Sequence, residues 1–318
     1  MILLTGATGF VGSALVLRLL SENRHLNVAV RRNSGCFPSG VQIFEIGDLL
    51  LGTKWEPALE GVGVVVHAAA RVHIMGDNAL DPLSEYRRIN VEGTLSLARQ
   101  AAAARIHRFV FVSSIKVNGE STPRGKPFRN DDEPAPVDPY GISKMEAEYG
   151  LRQIAAQTGM EVVIIRPPLV YGLGVRANFL AMMSWLWRGI PLPLGAIHNK
   201  RSFVALDNLV DLLVTCIDHP AAVNQTFLVS DGEDISTTQL LQRMGAALGK
   251  PARLLPVPAW ALEAGAALIG KRDLSRRLCG NLQVDISKAR DLLGWSPPVR
   301  VDEGLRITAE HFLAGMSK

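Results

Sequence analysis

Ile2-Leu-Leu-Thr5-Gly6-Ala-Thr-Gly9-Phe-Val-Gly12 decides how this chain is built. The run from Ile2 to Thr5 reads as a short strand, and the residues from Ser13 to Leu20 repeat with a helical period. The glycines therefore stand where a strand turns into a helix. At such a turn, backbone N–H groups at the helix N-terminus face a pyrophosphate. The spacing is G-x-x-G-x-x-G, one residue longer in the first gap than the dinucleotide fingerprint G-x-G-x-x-G. Alone it would pass for a tight surface turn; the flanking strand and helix make it a phosphate-binding loop.

The rest of the chain extends this unit. Leu26 to Val30 reads as a second strand and ends in Arg31-Arg32. An acid near this point binds the ribose diol of NAD, whereas arginine accommodates the extra phosphate of NADP. With two arginines and no acid, NADP(H) is the preferred cofactor and NAD(H) a possible one; a plain exposed basic turn is the alternative. Val41 to Ile46, followed by Asp48-Leu49, and Val62 to Val66 read as further strands. The latter is β-branched like a buried parallel strand and opens into His67-Ala-Ala-Ala70. His67 reads as structural. A helical period covers Leu83 to Ala104, a fifth strand Arg108 to Ser113, and a polar loop Asn118 to Pro139. A helix follows from Tyr140 to Gln157, then a sixth strand from Glu161 to Ile165, ending in Arg166-Pro-Pro-Leu-Val-Tyr-Gly172. Alternating strands and helices with short connections predict an α/β chain with a doubly wound parallel sheet of Rossmann type.

After Gly172 the alternation breaks. An apolar helix is expected over Asn178 to Arg188, another over Asp207 to Ile217, a returning strand over Gln225 to Val229, and helical segments from Ser236 to Lys318. The expected division is 1–172 with 202–232 as the dinucleotide-binding domain. The expected second domain, 173–201 with 233–318, is smaller, mostly helical and substrate-binding.

Tyr140 and Lys144 stand four apart in the predicted helix and so share a face. An ammonium beside a phenol favours the phenolate and eases proton exchange near neutral pH. Ser114, at the carboxyl edge of the fifth strand, both donates and accepts, and is placed to hold a substrate oxygen against that phenol. A Tyr and a Lys at this spacing are usually only an amphipathic face. Their position at the ligand-binding edge of the sheet makes them candidates.

Composition narrows the alternatives. Of 318 residues, 47% are hydrophobic and 20% charged, and the net charge is +4. Lys and Arg are scattered except at Arg31-Arg32 and from Lys271 to Arg277, which argues against nucleic acid, whose binders carry a concentrated stripe. Cys36, Cys216 and Cys279 are widely spaced, giving no metal knuckle and fitting reduced thiols of the cytoplasm. The glycine motif begins almost at Met1, so no targeting segment is expected. The longest other apolar stretch, Val257 to Ile269, is too short to span a bilayer, so no membrane insertion is expected.

Gly6, Gly9, Gly12, Asp48-Leu49, Ser114, Tyr140-x-x-x-Lys144 and Arg166-Pro-x-x-Val-Tyr-Gly172 occur in an order that resembles the extended short-chain dehydrogenase/reductase family, and within it the nucleotide-sugar epimerases, dehydratases and ketoreductases. The resemblance implies that Gly6, Thr8, Gly9, Phe10, Val11 and Gly12 approach the pyrophosphate and that Asp48 and Leu49 flank the adenine. Ala68, Ala69, Ala70 and Pro167 would lie toward the nicotinamide, with Lys144 on its ribose and tuning Tyr140. It also implies that Asn178, Arg201 and one of Arg276 and Arg277 contact a substrate diphosphate, and that helices over Asn90 to Ala104 and Asp138 to Gln157 pair two chains in a homodimer. Three positions depart from the family. Ile115 and Lys116 replace the Asp-Glu pair of dehydratases, so dehydration is not expected, and Asn118 stands where a tyrosine is common. The expected activity is NADPH-dependent reduction of a UDP-linked 4-keto sugar, such as a UDP-2-acetamido-2,6-dideoxy-hexos-4-ulose. The alternatives are an NAD-dependent UDP-hexose or UDP-N-acetylhexosamine 4-epimerase and a non-catalytic NADP sensor.

Overall fold

Ile2, Leu3 and Leu4 are sealed from water on both faces of their strand, as a central parallel strand covered by helices on each side must be. The computed structural model describes residues 1–32, 37–72, 81–268, 270 and 272–316, without the side chains of 177, 178 and 272–274. In chain order the first half runs β1 (Ile2–Thr5), α1 (Phe10–Ser21), β2 (Leu26–Val30), β3 (Val41–Glu45), α2 (Glu56–Leu59), β4 (Val64–His67), α3 (Pro82–Tyr86), α4 (Thr94–Ala103), β5 (Arg108–Val112), α5 (Pro139–Thr158), β6 (Glu161–Arg166) and β7 (Leu169–Tyr171). The second half runs α6 (Ala177–Trp187), β8 (Arg201–Ala205), α7 (Leu206–Asp218), β9 (Thr226–Leu228), β10 (Asp234–Ile235), α8 (Thr237–Ala247), α9 (Ala259–Leu268), α10 (Arg272–Cys279), α11 (Ser287–Leu293) and α12 (Val301–Met316).

Seven strands form one sheet in the order β3-β2-β1-β4-β5-β6-β9, with every pairing parallel. The order reverses between β1 and β4, which is where an open α/β sheet leaves a crevice for a ligand. One face is covered by Leu15 and Leu19 of α1 with Leu209 and Leu213 of α7; the other by Leu97 and Ala101 of α4 with Leu151 and Ile154 of α5. The Rossmann-type doubly wound sheet and the helical C-terminal region are as the sequence predicts.

The structure adds a second sheet, β10-β8-β7, that sequence reasoning did not anticipate. β8 alternates between two cores: Val204 packs with the large sheet, while Phe203 and Ala205 pack with Phe179, Met183, Leu241 and Leu305. We propose the division into 1–172 with 202–232 and 173–201 with 233–318, with β8 as the joint between the two parts. Among the described residues no helix is long and apolar enough to cross a membrane.

Candidate active site

Gly6 opens the turn after β1 at a φ of 72°, in the left-handed region that glycine enters without steric cost. A Cβ there would lie 2.6 Å from the Ala69 nitrogen, and a Cβ on Gly12 would lie 2.1 Å from the Gly6 oxygen. The loop therefore closes only because both residues lack one. Gly9 N-caps α1 with no side chain, so the first-turn N–H groups of Phe10, Val11 and Gly12 are left for an external acceptor. An uncapped helix start behind a glycine loop at the β1/β4 reversal fits a dinucleotide pyrophosphate, which these residues and Thr8 would hold.

The other cofactor candidates line the same edge. Ala68, Ala69 and Ala70 follow β4, and the Ala69 N–H reaches Thr5 Oγ1 at 3.3 Å. Leu49 carries the carbonyl against which Gly93 packs. Arg31 pairs with Asp48 at 3.0 Å, both well exposed, and Arg32 is exposed beside it. The expected phosphate-binding arginine is thus engaged by the expected adenine-flanking aspartate, though an exposed pair of this kind is worth about 1 kcal/mol or less and is readily exchanged. His67 is buried and bonds Thr5 Oγ1 at 2.7 Å and Thr94 Oγ1 at 3.0 Å. Burial, then the charge of Lys144, hold it down at about 3, so it is a neutral structural group.

Ser114 caps the short turn Ile115–Val117 directly after β5. The Ile115 N–H bonds the Pro167 carbonyl at 3.0 Å, tying this turn to the end of β6. α5 begins at Pro139, N-capped by the Asp138 side chain on the Gly141 N–H at 2.7 Å, and places Tyr140 in its first turn. Lys116 forms ion pairs with Asp138 and with Glu120, and a Cβ on Gly141 would lie 2.9 Å from the Lys116 carbonyl. The turn bearing Ser114 and the helix start bearing Tyr140 are clamped together at this point. Lys116, noted in the sequence only for replacing an acid, supplies that clamp.

We propose, as the resemblance implies, that Lys144 tunes Tyr140 once the dinucleotide is bound. Lys144 is buried, with its Nζ 2.8 Å from the Val112 carbonyl and 4.3 Å from the Phe111 ring centroid. Tyr140 is half-buried by surface, yet its surroundings raise its pKa above the ordinary tyrosine value, through burial first and then the charge of Asp138 and the Tyr86 ring's hydroxyl. Burial lowers Lys144 to about 7, against the opposing influence of Glu148. A buried ammonium takes the nearest acceptor, and here that is a strand-end carbonyl.

Two groups of residues escaped the sequence reading. Between α3 and α4 the helix widens into a π-turn, Arg87–Gly93, with Asn90 buried within it. Asn90 Oδ1 accepts from the Arg71 N–H at 2.8 Å. Its Nδ2 donates to the Arg71 carbonyl and to Ser143 Oγ, both at 3.0 Å, and Ser143 Oγ donates to the Tyr140 carbonyl at 2.8 Å. The second group is an ion pair between Glu148 and Arg166, both fully buried. Glu148 also accepts from Ser113 Oγ at 2.6 Å, and Arg166 donates to Asn118 Oδ1 at 2.9 Å.

The substrate candidates lie on the second layer. Arg201 opens β8, is largely buried, and donates to the Gly280 carbonyl at 3.1 Å. Its pKa is lowered by burial and then by the charge of Arg277. No carboxylate forms an ion pair with Arg201 among the described residues. Arg276 and Arg277 are both exposed in the last turn of α10. The side chain of Asn178, in the first turn of α6, lies outside the described residues. Among the described residues no group of His, Cys, Asp and Glu is arranged to hold a metal ion.

The sequence profile of the NAD dependent epimerase/dehydratase family matches residues 2–230. This chain belongs to that family. It is an NAD(P)-dependent enzyme of the extended short-chain dehydrogenase/reductase type. It is 50% identical over 313 residues to a UDP-glucose 4-epimerase of Vibrio cholerae, covering 98% of this chain and 95% of that one. It is 27% identical to the N-acetyl-α-D-glucosaminyl-diphospho-ditrans,octacis-undecaprenol 4-epimerase of Escherichia coli O157:H7, covering 98% and 94%. The fold matches the UDP-glucuronic acid 4-epimerase of Bacillus cereus solved with NAD, at a TM-score of 0.79 and 22% identity, over 98% of this chain and 96% of that one.

Proposed function

We propose that this family member is a 4-epimerase of a UDP-linked hexose or N-acetylhexosamine. The observation that carries the substrate class is Arg201: a partly buried guanidinium at the start of β8 that has no carboxylate ion pair among the described residues and feels the like charge of Arg277 fits a diphosphate that neutralises both. The Vibrio cholerae relative, at 50% identity, favours epimerisation over the net reduction expected from the sequence. A bound nicotinamide dinucleotide supplies the hydride acceptor at C4. Tyr140 takes the C4 hydroxyl proton as the hydride departs and returns it when the hydride comes back to the opposite face of the sugar. Ser114 holds the C4 oxygen throughout. Lys144 would turn from the Val112 carbonyl toward the cofactor ribose and there bring a positive charge to the phenol.

The reductase reading keeps one specific support, the absence of an acid after β2 and the presence of Arg31 and Arg32 there. One experiment separates the two. Protein freed of nucleotide and given NAD should interconvert UDP-glucose and UDP-galactose, or their N-acetylated forms, without net cofactor turnover. Stoichiometric NADPH oxidation with a UDP-4-keto-6-deoxy-N-acetylhexosamine, and no interconversion, would replace the epimerase reading with the reductase one. We assign the protein to the cytoplasm and to a homodimer through α4 and α5; a monomeric mass by light scattering refutes the dimer.

The diphosphate assignment is tested separately. Arg201→Ala should weaken substrate binding by about 2 kcal/mol, a KM rise of about thirtyfold, because a buried charge-assisted contact is lost. Arg277→Ala should do the same. An unchanged KM in both would remove this pair from the site.

A further inference from the structure

Two features of the sequence take no part in the site: the apolar stretch from Val257 and the exposed arginines Arg188 and Arg253. The structure places the first on the outside of the molecule. α9 has no fully buried residue, and Trp260 and Leu268 are 72% and 89% exposed, with Leu255 just before the helix at 52%. Glu263 is the only charged residue on α9. Large apolar side chains gathered in water mark a surface that is covered by something else.

The surroundings say what kind of surface covers it. The segment leading into α9 lies against the chain that follows α6, through Leu254 beside Leu192 and Pro258 beside Ala196. α6 adds Trp185, and the chain after it Ile190, both partly in water, and exposed Arg188. Exposed Arg253 reaches toward Gly189, and α10, with exposed Arg276, packs on α9. Apolar side chains are thus bordered by guanidinium groups. We propose that this face docks the protein onto an anionic lipid bilayer surface. Trp260, Leu268 and Leu255 enter the headgroup boundary, while Arg188 and Arg253 meet lipid phosphates. A ten-residue helix is about 15 Å long, so it lies in the interface and does not span. A second copy of this chain fits less well, because a two-fold contact through α9 would bring arginine against arginine.

The test uses the full-length protein and needs no substrate. It should sediment with vesicles of phosphatidylglycerol and phosphatidylcholine, much less with phosphatidylcholine alone, and be released by high salt. The double variant Trp260→Ser/Leu268→Ser should partition at least about tenfold less while keeping activity on soluble UDP-sugar, since both side chains are already in water. Failure to bind anionic vesicles, or undiminished binding by the double variant, overturns the proposal. So does a fall in mass of the double variant by light scattering in the absence of vesicles, which would make α9 a contact between copies.

Discussion

Tyr140→Phe should lower kcat by about a thousandfold, the usual worth of a positioned general acid and base, while dinucleotide affinity stays within about twofold. The argument is local. The α5 N-terminus is fixed by the Asp138 cap and the Lys116 ion pair, and the Tyr140 carbonyl by Ser143, so removing one hydroxyl leaves the helix start where it is. The ring keeps its edge contact with Tyr86, at 6.0 Å between centroids, because phenylalanine presents the same edge. What disappears is the phenol of the α5 first turn that, in the proposed function, exchanges a proton with the C4 hydroxyl at Ser114. Burial and Asp138 hold that phenol protonated without cofactor, so Tyr140 is a poor base until a nearby positive charge is added. Single-turnover rates and a dinucleotide titration of the same variant check both halves. Turnover retained within about tenfold would take the proton-transfer role away from Tyr140.

How much of this was legible depends on the distance over which each feature is encoded. The glycine loop, the strand–helix alternation and the Tyr140–Lys144 spacing are local periodicities, and each stands where the sequence placed it. The second sheet was not legible, because β7 and β10 are three and two residues long and carry no period of their own. Asn90 was hidden inside a helical pattern; only its buried polar side chain within a π-turn marks it, and burial is a tertiary property. The Arg31–Asp48 pair shows a further limit. The sequence assigned each residue to a different part of the cofactor, and the structure brings them to each other, because strands β2 and β3 are neighbours and both residues follow their ends.

Arg166→Met should destabilise the protein by about 3 to 5 kcal/mol, measured as a shift in the urea midpoint at unchanged slope. Arg166 donates twice to Glu148, at 2.9 and 2.6 Å, and once to Asn118, and Glu148 is sealed from water. Methionine fills the volume but leaves a buried carboxylate whose remaining partners are Ser113 and the partly exposed Arg152. The cost is that of an unpaired charge, and so it should fall when the charge is also removed. The double variant Glu148→Gln/Arg166→Met is therefore expected to recover a large part of the loss. If the double variant is no more stable than the single one, the penalty belongs to packing and not to the charge. The same pair has a consequence for the site. Ser113 bonds Glu148, and Ile115 bonds Pro167 one residue beyond Arg166, so the two ends of the turn carrying Ser114 are held by the ends of this network. Any stability lost at Arg166 should thus appear with a lowered kcat at Ser114, while the Arg201–Arg277 pair, on the other layer, keeps KM near its native value.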